Sequence, residues 1–204
     1  MLHGGGTPGS GVYRPAILDM MQNDVRRSRL QEAVHDTSFW NAALGARVEM
    51  YLPRIFRVLA PPTVRAEVLA DRVTGRGLFP NAEAFQLWES TGVLRVEGPA
   101  GGWPVEWGQV SFGGKAEQEV LLLAHERHTL ALLNDYRAGD FAKRKGLPVL
   151  DVPRWIVTLV FMKTMPMGPA WAGLRYLEDT KRTSPALLTT ARAMLESLWQ
   201  RGWR

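Results

Sequence analysis

The chain has 204 residues and not one cysteine. Disulfides, cysteine-ligated zinc and a cysteine nucleophile are thereby excluded, and nothing points to an oxidising compartment. Histidine is scarce, with four residues at positions 3, 35, 125 and 128. Two of them fall in His125-Glu126-Arg127-His128, one residue short of the zinc-protease pattern H-E-x-x-H. That pattern needs its histidines at i and i+4, one turn apart, and Thr129 stands in the second place. No metal and no cofactor are expected. Long apolar runs are missing too. The best, Trp155–Met162, meets Lys163, Pro166, Gly168 and Pro169 when extended. A membrane span needs roughly 20 apolar residues, so this run reads as a core helix and no membrane contact is expected. The opening MLHGGGTPGSG lacks a basic stretch leading into an apolar one. Residues 1–12 are expected to be a flexible arm, and the protein cytoplasmic.

Catalytic signatures are equally thin. There is no G-x-x-x-x-G-K-[ST]; Gly113-Gly114-Lys115 lacks the first glycine and the hydroxyl. There is no G-x-S-x-G elbow. The acid pairs Glu117/Glu119 and Glu178/Asp179 are two and one residues apart and would not face each other on a helix. A metal-dependent nuclease built from scattered acids stays open, because such sites assemble only in three dimensions.

What is present is an apolar content of 46%, enough for a core, and a net charge of +5. The charge is uneven. Residues 1–138 hold 14 basic and 15 acidic side chains; residues 139–204 hold 11 and 5. A basic C-terminal third suits an anionic polymer or surface. Lys143-Arg144-Lys145 is the densest basic triplet.

The most patterned stretch runs from Pro61 to Phe112. Thr63 caps a helix carrying Val64, Val68, Leu69 and Val73 on one face, and Gly75 and Gly77 end it. Asn81 caps a second helix, with Ala84, Phe85, Leu87 and Trp88 inward and Gly92 at its end. Val93–Val96 reads as a strand, Gly98–Gly102 as a loop tip, and Val105–Phe112 as the returning strand of a hairpin. Upstream, residues 15–35 and 37–59 read as helices, the second kinked at Pro53. Downstream, Lys115–Ala138 reads as one long helix, apolar nearly all round. Three further helices follow, beginning near Pro153, Pro169 and Ser184.

The order helix, turn, helix, strand, tip, strand over residues 61–112 resembles a winged helix-turn-helix. The resemblance implies a mainly α protein with a small β-hairpin. A winged-helix domain over 13–113 would be followed by a helical bundle over 114–204 that makes a homodimer. It implies DNA as partner, double- or single-stranded. Arg65, Arg72, Arg76, Arg95, Lys143, Arg144 and Lys145 would anchor phosphates, and Asn81 and Gln86 would reach base edges. The expected function is non-catalytic nucleic-acid binding, as a regulator or a replication, repair or DNA-organising factor. A protein-interaction adaptor on the same scaffold is the alternative.

Overall fold

A computed structural model describes residues 31–70, 80–108 and 114–203. They form a five-stranded, wholly parallel sheet covered by helices. In chain order the strands are β1 (Gln31–His35), β2 (Phe56–Ala60), β3 (Leu94–Val96), β4 (Leu130–Leu132) and β5 (Val149–Leu150). The helices are α1 (Thr37–Gly45), α2 (Pro62–Leu69), α3 (Pro80–Ser90), α4 (Lys115–Glu126), α5 (Tyr136–Arg144), α6 (Val152–Phe161), α7 (Met167–Asp179) and α8 (Pro185–Gln200). Spatial order across the sheet is β3-β2-β1-β4-β5.

The winged helix-turn-helix is therefore replaced by a doubly wound α/β fold. β3 does occupy most of the expected first hairpin strand. It pairs with β2 in parallel, Val58 opposite Leu94 and Ala60 opposite Val96, rather than folding back on a neighbour. Val105–Trp107 is a single 3-10 turn, and residues 109–113 lie outside the described set. The helix expected over 37–59 is α1, a 3-10 segment at Glu49–Arg54 and strand β2. The long helix expected over 115–138 is α4, strand β4 and the start of α5.

The physical reason is burial on both faces. Successive strand residues point to opposite sides of a sheet. Ala33, Val34 and His35 are all buried, as are Val58, Leu59 and Ala60 on β2 and all three residues of β4. A strand covered on both sides reads as an unbroken apolar run, without the alternation that marks a half-exposed strand. Short runs of that kind look like pieces of a buried helix. The helix stops are also silent in the sequence. Arg47 and His128 take left-handed backbone angles (φ 57° and 49°) normally given to glycine.

The apolar girth of α4 is used inside the chain. Val120, Leu121, Leu123 and Ala124 are buried where α4 packs on β1 and α2. Elsewhere α1 packs against α6 and α7, and α6, α7 and α8 pack on one another. Trp155 of α6 is fully buried, and its indole N–H donates to the Val48 carbonyl at 3.1 Å.

Candidate functional site

In a sheet of order 3-2-1-4-5 the connections leave β1 and β4 in opposite directions. A crevice opens between their carboxyl ends, which is where open α/β sheets bind ligands. Here β1 and β4 are hydrogen-bonded neighbours, and the Asp36 N–H donates to Leu132 O at 3.1 Å. Past these ends come Asp36 and, after Leu133, Asn134-Asp135.

Three strands end in the same way. An apolar run meets an aspartate, and that aspartate caps the next helix. Asp36 caps α1 by accepting from the Phe39 N–H at 2.5 Å. Asp135 caps α5 by accepting from the Ala138 N–H at 2.8 Å. Asp151 caps α6 by accepting from the Arg154 N–H at 2.8 Å. Glu117, in the first turn of α4, folds back to accept from the Gly114 N–H at 2.6 Å. Each carboxylate thus satisfies an orphan amide and meets the positive end of a helix dipole.

Asp36 is the most constrained of them. It is fully buried, and its second oxygen accepts from the Ser38 hydroxyl at 2.7 Å. Burial pushes its carboxyl up to about 7 from an ordinary 3.8. The two hydrogen bonds pull it down, while the charges of Glu117 and Asp135 push it up further. The charges of two acids on other elements are thus felt at Asp36. The second oxygens of Asp135 and Glu117 have no protein donor among the described residues. A groove of about 440 Å³ runs beside the first two turns of α4, lined by Pro62, Gly98, Trp103, Lys115 and Gln118 among others.

Neighbouring groups frame the crevice. His35 is fully buried, stacked on Trp40 at 5.3 Å, and donates through Nδ1 to the Asp36 carbonyl at 3.1 Å. Burial lowers its imidazole to about 4, only partly offset by that bond, and Nε2 has no partner. Asn134 is buried and donates to the Arg182 carbonyl at 2.7 Å and to the Thr183 hydroxyl at 3.1 Å. Past β5, the buried Asp151 pairs with Arg154 at 3.1 Å. Burial raises the Asp151 carboxyl, with Arg154, its own hydrogen bond and Lys143 opposing. Burial and Arg154 lower the Lys143 ammonium.

The residues expected to contact nucleic acid are dispersed. Arg72 and Arg76 lie outside the described residues. Arg65 on α2 is held by both oxygens of Glu89, at 2.8 and 2.9 Å. The Asn81 amide donates to Asn41 at 2.6 Å, and its carbonyl accepts from Trp40, so it ties α3 to α1. Gln86 is exposed on α3, and Arg95 lies on β3, 3.9 Å from Glu97. In the basic triplet, Arg144 pairs with Asp140 and Lys145 donates to the Glu106 carbonyl at 3.0 Å. Lys143 feels the charges of Asp151 and Arg154 at the carboxyl edge of the sheet. Asp36, Asp135 and Glu117 were not among the expected site residues. The signal for two of them is in the sequence: Ala-Val-His-Asp and Leu-Leu-Asn-Asp repeat one grammar, and Val-Leu-Asp151 repeats it again.

The class defined by this geometry is a doubly wound parallel α/β protein with an acidic switch point. No family model matches the chain, and no curated protein matches it significantly. No helix among the described residues is long and apolar enough to cross a membrane.

Proposed function

We propose that the protein is a divalent-metal-dependent phosphodiester hydrolase acting on nucleic acid. The observation that carries the reading is the buried Asp36 at the switch point, with the charges of Glu117 and Asp135 bearing on it. Carboxylates brought together repel, and a hard divalent cation between them relieves that repulsion. Carboxylate oxygens are the donors that magnesium and manganese select.

Among the described residues no group of three or more histidine, aspartate or glutamate side chains could hold a metal ion by itself. Magnesium does not ask for that. It binds through one or two carboxylates and completes its shell with water and substrate phosphate. Asp36 and Asp135, past the ends of two adjacent strands, are the pair that would do this, with the charge of Glu117 also bearing on Asp36. A bound cation would polarise a phosphoryl oxygen and lower the pKa of an attacking water. The chain's own part is to hold the carboxylates at rigid strand ends and to supply cations for the phosphates. Net charge over residues 139–204 is strongly positive, and that segment includes α6, α7 and α8.

The test is incubation of the intact chain with single-stranded and duplex RNA and DNA, with magnesium, manganese or a chelator. Cleavage is expected only with the ion, and Asp36→Asn or Asp135→Asn should each lower it by roughly 10²-fold or more. Salt-sensitive binding without cleavage under every ion would return the protein to the non-catalytic nucleic-acid binders.

A further inference from the structure

Past the carboxyl end of β4, one exposed aromatic ring and three exposed cations lie on α5 and on a loop bonded to Asn134, and none of the cations makes an ion pair among the described residues. Tyr136 is the first residue of α5, directly after Asp135, and is 56% exposed. Arg137 follows it, also exposed. Lys181 and Arg182 lie in the loop between α7 and α8, both exposed. Asn134 pins that loop by its bonds to the Arg182 carbonyl and the Thr183 hydroxyl. The loop is therefore fastened to the residue preceding Asp135. Lys181 holds a left-handed turn there (φ 51°), a position that costs a non-glycine residue some strain.

Most arginines elsewhere are spoken for. Arg57, Arg65, Arg95, Arg127, Arg144, Arg154 and Arg192 each face an acid. Arg137, Lys181 and Arg182 have no acidic partner among the described residues. Unpaired cations beside the proposed metal site suit a polyanion, one phosphate meeting the metal ion and its neighbours the cations. An exposed ring in the same place adds a flat apolar surface. A base inside a duplex is stacked on its neighbours and cannot lie on it, whereas an unpaired base can.

We infer that Tyr136 is a base-stacking platform and that Arg137, Lys181 and Arg182 grip the adjoining phosphates, so that the substrate is a single-stranded polynucleotide. This rests on the phosphodiester-hydrolase reading of the same crevice and specifies its substrate. All four side chains are exposed, so their replacement leaves the core intact.

The experiment is fluorescence anisotropy with short labelled oligonucleotides under chelator, where nothing is cleaved. The probes are single-stranded RNA, single-stranded DNA and a duplex of the same sequence. Single strands should bind tighter than duplex, and the RNA and DNA arms show whether the 2′-hydroxyl is sensed. Tyr136→Ala should weaken single-strand binding about tenfold and Tyr136→Phe should restore most of it. The double variant Lys181→Ala/Arg182→Ala should lower the slope of log affinity against log salt by about 0.7 per lost phosphate contact. Equal effects of Tyr136→Ala on single strand and duplex, or an unchanged salt slope, would overturn the inference. If the binding pattern holds while no ion supports cleavage, the hydrolase reading fails and the binding surface stands. If cleavage occurs but these variants bind normally, the surface is wrong and the hydrolase reading stands.

Discussion

Asp36 and His35 are chain neighbours, both fully buried, with pKa values displaced in opposite directions. Between about pH 4 and 7 the folded state keeps a proton on Asp36 that the unfolded chain has lost. Stability from this group therefore falls as pH rises through that range, and the full penalty applies above it. Asp36→Asn removes the penalty and keeps an oxygen for the Phe39 N–H. At pH 8, under chelator, the variant should be more stable by about 1–3 kcal/mol in urea melts, while losing cleavage. A less stable variant at that pH would show that Asp36 is not strained. His35 behaves conversely. Between about pH 4 and 6.5 the unfolded chain binds a proton that the folded state excludes, so stability from this group rises with pH. Over that window the two residues nearly cancel. His35→Phe should unmask Asp36: its stability relative to wild type should fall by roughly 1.4 kcal/mol per pH unit from 4.5 to 6. A pH-independent difference would mean that His35 is protonated when folded. Trp199 on α8 is 53% exposed, whereas Trp203, just past the end of that helix, stacks on Phe161 at 5.2 Å beneath Lys163. A helical stripe says which residues share a face, not how far along the helix its cover extends.

At the scale of elements, one local unit recurs: apolar strand, aspartate cap, helix. It closes β1 onto α1, β4 onto α5 and β5 onto α6. The same grammar has opposite energetic consequences at its two outer copies. Asp151 is compensated by Arg154 and Lys143, and no cation among the described residues offsets the rise at Asp36. Asp151→Ala should therefore destabilise the protein by about 1–2 kcal/mol through the lost cap, where Asp36→Asn stabilises it. Thermal melts of the two variants in one buffer make the comparison. The α7–α8 loop gives a second check. Asn134→Ala leaves the Arg182 carbonyl and the buried Thr183 hydroxyl without their donor and should cost about 1–3 kcal/mol. It should also release the loop, raising amide exchange at residues 181–183 first. Protection there equal to wild type would mean that Asn134 does not hold the loop.

At the scale of the whole molecule, the parallel sheet sets every carboxyl strand end on one edge, with Asp36, Asp135 and Asp151 along it. That edge is acidic at its centre, and Arg137, Lys181 and Arg182 lie beside it. On the hydrolase reading, a cation seated at the centre would bind the folded chain alone and so stabilise it. Manganese at about 100-fold over its dissociation constant should add about 2.7 kcal/mol at pH 8. For a chain of this length that is a rise of roughly 5–11 °C in melting temperature. The double variant Asp36→Asn/Asp135→Asn should show no rise. An equal rise in both proteins would place the ion elsewhere.

Composition, the lack of cysteine, the basic C-terminal third and the helices at 152–161, 167–179 and 185–200 were all readable along the chain, the last because their apolar stripes or proline starts are local signals. The sheet was not. Strands of two to five residues buried on both faces carry no period of their own, and their partners lie up to about a hundred residues away, as Ala33 does from Leu130. Parallel pairing is a property of the assembled layers, and the winged pattern at 61–112 was the local arrangement that fitted best without them. The crevice followed the same rule. Asp36 and Asp135 are each legible as helix caps and Glu117 as a first-turn acid, ordinary structural tasks, and only the order β3-β2-β1-β4-β5 sets the two caps past neighbouring strand ends.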